Sequence, residues 1–288
     1  MRKLVVLPVV IAWTAIAFAQ QPPAAPQNPA PGGAGGARQG GGPPGGRGGR
    51  GGPPPTARAQ APIDLTGQWV SVISEDWRWR MTTPQKGDYA SVPLNQEGRR
   101  VADTWDLAKD ASGGEQCRPF GAAALLRLPL RVRISWQDDS TLKLETDAGQ
   151  QTRLLKFAAP GAPPVTTAVA AAGERTWQGD SVALWNKTAV SQGLGFGGAR
   201  GVAGGNLKVT TTNLRPGYLR KNGVPYSEGT VVTEYFNRHD EPNGDSWFTV
   251  TTIVDDGRYL QQPFITSSHF KKEADASKWS PAPCRASS

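Results

Sequence analysis

Along most of the chain, apolar and polar residues alternate with the two-residue period of half-buried β-strands. Leu130, Val132, Ile134 and Trp136 interleave with Arg131, Arg133 and Ser135, and Leu142 and Leu144 with Lys143 and Glu145. A three-residue loop at Gln137–Asp139 would set Ile134 opposite Leu142 and Arg131 opposite Glu145, with apolar side chains on one face and paired charges on the other. The stretch from Leu65 to Val72 reads as an opening strand, and Asp147-Ala148-Gly149 as a turn into a strand at 152–157. Further strands are predicted at 180–185, 206–213, 230–238, 247–254 and 264–271, with turns at Asn222-Gly223, Asn243-Gly244 and Asp256-Gly257.

In Asp76–Arg80 aromatic and basic residues alternate, so an extended chain there has one aromatic and one cationic face. One helix is predicted over Leu94–Lys109, weakened by Gly98. The segments at 158–175 and 191–205 read as loops, the second rich in glycine. About nine strands with short connections predict an all-β fold, an antiparallel up-and-down barrel or closed sandwich with one short helix.

The first 62 of the 288 residues do not share this pattern. Arg2 and Lys3, an apolar run from Leu4 to Ala17 and the sequence Ala17-Phe18-Ala19 predict a signal peptide over 1–19. Residues 20–62 contain 13 Gly and 11 Pro, no acid and almost no large apolar side chain, so a disordered tail is expected. The folded domain is then 63–288, with the protein exported to the periplasm or beyond and no transmembrane segment left after cleavage. In an oxidising compartment Cys117 and Cys284 are expected to form a disulfide, with two free thiols as the alternative.

Charge changes the picture little. The net charge is +8, but six of the 32 basic residues and none of the 24 acidic ones precede Asp64, so the domain is near neutral. Nucleic acid is therefore not an expected partner. The arginines of the tail offer at most weak, salt-sensitive contact with an anionic envelope surface.

Several stretches resemble an uncharacterised family of secreted bacterial proteins. Asp64-Leu65-Thr66-Gly67-Gln68-Trp69 is similar to its D-L-[ST]-G-x-W opening, Gln116–Gly121 to its C-x-P-x-G turn, and Leu144–Arg153 to its T-D-G hairpin. Trp177–Ser181 is similar to W-x-G-x-S, and Tyr218–Arg238 to a block containing G-x-P-x-S. Trp185-Asn186-Lys187 departs from the family's W-E-G-D, and Asp256-Gly257 from its D-P turn. The resemblance implies a lipocalin-like, calycin-type barrel and carries no established activity.

No nucleophile motif, metal-ligand spacing or cofactor loop stands out. His239 falls in a charged hairpin loop, whereas His269, in the last strand, is a candidate to face a barrel lumen. The polar set Arg131, Arg133, Glu145, Asp147, Arg153 and Glu234 either solubilises an outer face or forms a paired cluster inside the barrel. Trp77, Trp79 and Tyr235 are candidates for an aromatic wall beside it. The reading is a small apolar or amphipathic ligand held in the barrel without metal or cofactor. The alternatives are an acid–base enzyme on the same fold and an envelope-associated structural protein.

Overall fold

A computed structural model of the protein describes residues 54–159, 173–189 and 202–285. The expected signal peptide, most of the tail and most of the two loops at 158–175 and 191–205 lie outside these residues. The described part of the tail, 54–62, is packed against the domain.

Nine strands close into a barrel, in the ring order β1-β11-β10-β9-β6-β5-β4-β3-β2. They are β1 (Gly67–Val72), β2 (Arg131–Asp138), β3 (Thr141–Thr146), β4 (Thr152–Phe157), β5 (Asp180–Ala189), β6 (Val202–Thr212), β9 (Val231–Asp240), β10 (Ser246–Asp255) and β11 (Phe264–Glu273). A separate hairpin pairs β7 (Gly217–Arg220) with β8 (Val224–Tyr226). A ring with an odd number of strands cannot be antiparallel throughout. The unavoidable parallel seam falls between β4 and β5, with Leu155 opposite Ser181. This corrects the simple up-and-down expectation at that one junction.

The β2–β3 register differs from the expected one by two residues. Ile134 pairs with Leu144 and Arg133 with Glu145, and an irregularity between Trp136 and Asp138 absorbs the difference. A two-residue slip leaves each side chain on the face the alternation predicts.

Those inward faces fill the barrel. Trp69, Phe236, Phe248 and Phe270 are fully buried among Leu125, Val132, Leu142, Leu144, Leu155, Leu207 and Val250. Trp69 packs edge-on against Phe248 at 4.9 Å, Phe248 stacks on Phe270 at 4.6 Å, and the Trp69 indole N–H donates to the Leu65 carbonyl. The lumen expected to hold a ligand is thus occupied by the protein's own side chains.

One end of the barrel is plugged by the connection between β1 and β2, the β7–β8 hairpin and the turn after β10. Together they form a second core around Tyr89, Leu94, Leu219, Tyr226, Val254 and Phe264. The predicted single helix is two helices, α2 (Gln96–Ala102) and α3 (Leu107–Ser112). Asp106 is extended and its carboxylate accepts from the N–H groups of Ala108 and Lys109, so it starts a new helix rather than continuing the old one. Gly98 has a packing reason: a Cβ there would lie 2.5 Å from the Tyr259 carbonyl oxygen. The extended reading of Asp76–Arg80 is also corrected. Asp76 is left-handed, with φ 51°, and Trp77–Arg80 is one helical turn, α1. That turn carries Arg80 inward, where its Nε donates to the Arg127 carbonyl and an Nη donates to Ser268.

Candidate functional site

The site proposed from sequence does not assemble as a unit. Arg131, Arg133 and Glu145 project from the outer face of β2 and β3. Arg131 pairs with Glu273 at 3.0 Å, Arg133 lies over Trp279 at 4.4 Å, and Glu145 pairs with Lys143 at 3.2 Å. Asp147 is buried at the β3–β4 turn, where its carboxylate accepts from the backbone N–H groups of Arg131 and Ala148. Tyr235 faces outward beneath Lys208. Trp77 is 64% exposed on α1. Trp79 donates to Asp88 and is flanked by the guanidinium groups of Arg78 and Arg220.

His269 also lies on the outer face, between the inward-facing Ser268 and Phe270, which corrects its placement in the lumen. Its Nε2 contacts the Glu75 carboxylate and its Nδ1 is 3.0 Å from Thr249 Oγ1. Carboxylate, imidazole and hydroxyl thus form a chain on the convex surface of the barrel.

Only Arg153 and Glu234 point inward, and they meet. Two guanidinium nitrogens of Arg153 donate to the two carboxylate oxygens of Glu234 at 3.0 and 2.6 Å, with both side chains 0% exposed. Thr211 accepts from Arg153 and shares a hydrogen bond with Ser181. This polar layer separates the barrel core from the end plug: on β9, Phe236 belongs to the first and Val232 to the second.

The other end of the barrel has a different character. Trp136 from β2, Phe157 from β4 and Trp185 from β5 stand in the inward phase of their strands toward this end. They form an aromatic rim, with Trp136–Phe157 at 5.6 Å, Phe157–Trp185 at 5.1 Å and Trp136–Trp185 at 6.5 Å. The segment 54–62 crosses this rim as a strap. Its Ala57 carbonyl accepts from the Trp185 indole N–H at 2.8 Å, the Arg58 N–H donates to the Asp139 carbonyl, and Gln60 accepts from Lys187. Between strap and rim is a cleft of about 700 Å³ lined by Pro54, Pro55, Gln60, Phe157, Ala183 and Trp185. Its volume and its largely apolar wall with a few polar groups fit a small organic molecule. Sequence reasoning missed this site, although β2, β4 and β5 each carry an aromatic residue in the inward phase toward the same end.

A second cleft, of about 530 Å³, lies beside α3. There Arg118 donates to Tyr218 Oη and to Asp110, and Tyr218 donates to Asp110. Burial pushes the Tyr218 phenol up to about 12, and burial together with the bond to Asp103 raises Tyr89 to about 12. Burial also raises Tyr226. A raised phenol means that the unfolded chain loses its proton first. The stabilising contribution of these tyrosines is therefore whole below pH 10 and falls away as the pH rises toward 12. Titration at 295 nm should show a late, cooperative ionisation in the folded protein and ionisation near pH 10 for all five tyrosines in urea. A folded protein whose tyrosines all ionise near pH 10 would contradict these environments.

Among the described residues, no helix is long and apolar enough to cross a membrane. Cys117 and Cys284 form a disulfide. Compared with known protein families, curated proteins and solved structures, the chain matches none, so the family resemblance rests on its short motifs alone.

Proposed function

We propose that this is an exported binding protein for a small apolar or amphipathic molecule, and that the molecule seats at the aromatic rim rather than in the barrel lumen. The supporting observation is the cleft of about 700 Å³ between the strap and the Phe157–Trp185 side of the rim. Aromatic faces supply apolar area with little side-chain entropy to lose. The Lys187 ammonium and the Gln60 amide at the border suit a ligand with one polar end. The signal-peptide pattern and the disulfide support export.

Titration with the fluorescent probe 1-anilinonaphthalene-8-sulfonate tests the assignment. Trp185→Ala removes a half-buried wall residue whose loss the barrel core should tolerate. The variant should keep the native circular-dichroism spectrum and bind the probe about tenfold or more weakly, which corresponds to about 1.4 kcal/mol. Unchanged affinity in a folded Trp185→Ala protein would reject the rim. Native mass spectrometry of protein taken from its own cell extract, beside a denatured control, would then identify the natural occupant.

A further inference from the structure

The cleft of about 530 Å³ beside α3 takes no part in the rim reading and differs from it in kind. Trp105, between α2 and α3, supplies an aromatic ring to its wall, and charged side chains supply much of the rest. Asp106, Asp110 and Glu115 bring three carboxylates. Lys109 and Arg118 bring two cations, and Arg215, paired with Glu115, adds a third. Three negative charges thus stand with three positive ones, and the cleft has no net charge.

Some of these groups are fixed and others are free. Arg118 is held on three bonds: its Nε donates to Glu115 at 3.0 Å, and its Nη1 donates to Asp110 at 3.0 Å and to Tyr218 Oη at 2.9 Å. Among the described residues its Nη2 has no partner, and the side chain is 36% exposed. The exposed Lys109 ammonium has none either. Asp106 spends only Oδ1 on the N–H groups of Ala108 and Lys109, which leaves Oδ2 available. Trp105 is half-buried and pinned by Gly223, where a Cβ would overlap its side chain.

A wall of balanced charge gives no net Coulomb attraction to an anion or to a cation, since each meets its own sign as well as the opposite one. A hydroxyl both donates and accepts, so it can use free donors and free acceptors side by side. Its bonds to charged groups are the stronger kind. Groups already held in place lose little freedom when they bind. The Trp105 ring offers apolar area to the C–H groups of such a molecule.

We propose that this cleft binds a neutral polyhydroxylated molecule, a mono- or disaccharide unit, with its ring against Trp105. Arg118 Nη2 and Lys109 Nζ donate to its hydroxyl oxygens, and Asp106 Oδ2 accepts from a hydroxyl. Asp110, Glu115 and Tyr218 act through Arg118, whose guanidinium they orient. The site is independent of the ligand reading at the rim, because the two clefts share no residue.

Saturation-transfer difference NMR on the intact protein tests this, with glucose, galactose, mannose, N-acetylglucosamine, maltose and cellobiose as probes. At least one should give a signal that saturates with concentration. Asp106→Ser keeps a side chain that starts a helix and removes the free carboxylate oxygen. It should weaken that sugar about tenfold, as should Lys109→Ala. Trp105→Ala should abolish the signal; if it fails to fold, the two exposed variants still decide. The uronic acid and the amino sugar derived from the sugar that binds should bind more weakly than their neutral parent. The rim probe 1-anilinonaphthalene-8-sulfonate should not displace it. No signal from any of these sugars, unchanged affinity in both Asp106→Ser and Lys109→Ala, preference for a charged sugar, or displacement by the rim probe would overturn the proposal.

Discussion

Replacing Glu234 by Ala should lower the unfolding free energy by about 3–5 kcal/mol. The variant leaves the Arg153 guanidinium charged and without a counter-ion in a layer where both side chains are 0% exposed. Thr211 and Ser181 can accept or share hydrogen bonds, but they bring no charge. Such a loss takes a large part of the 5–15 kcal/mol that typically holds a domain folded. Urea denaturation should show it as a lower midpoint at an unchanged slope. The paired variant Arg153→Met/Glu234→Leu should recover most of the loss, because it removes both desolvation costs together. If Glu234→Ala costs less than about 1 kcal/mol, the pair is solvated and the polar layer is not sealed.

Removing the disulfide should produce an effect of similar size. Cys117 and Cys284 are separated by 167 residues, and a cross-link closing so long a loop restricts the unfolded chain strongly. Cys117→Ser/Cys284→Ser should destabilise by about 2–5 kcal/mol. It should also release the chain around Ala282, which the bridge holds where the Ala282 N–H donates to the Asp147 carbonyl and the Ala282 carbonyl accepts from the Gly149 N–H. Thermal melting with and without reductant, together with faster proteolysis at Lys278, should report both effects. A fully reduced protein with an unchanged midpoint would show that the bridge adds nothing.

The alternation that predicted the strands is enforced by burial, so it survived a register error of two residues between β2 and β3. The same periodicity separates Arg131, Arg133 and Glu145, in phase with the surface, from Arg153 and Glu234, in phase with Leu155 and Phe236. Taking these five, with Asp147, as one candidate polar set overlooked that phase. Local chemistry decided the misread elements. The Asp106 carboxylate starts a second helix where hydrophobic spacing favoured one continuous helix, and Trp77–Arg80 forms a turn that carries Arg80 inward. The rim was hidden for a different reason. It depends on Trp185 meeting Ala57, 128 residues away, and on a strap whose proline- and glycine-rich surroundings suggest no packing.

The barrel closes through β1, whose neighbours are β2 on one side and β11 on the other. Gln68 pairs with Glu273, so the earliest strand synthesised needs the last one as its partner. During synthesis, and during any passage in which the chain emerges from its N-terminus, β1 has one edge without a neighbour. Completion therefore waits on the most non-local pairing in the fold, a topology associated with folding in milliseconds to seconds. A chain cut short before Phe264 would leave both β1 and β10 with open hydrogen-bonding edges, and it should be cleared or aggregate rather than persist as a smaller barrel.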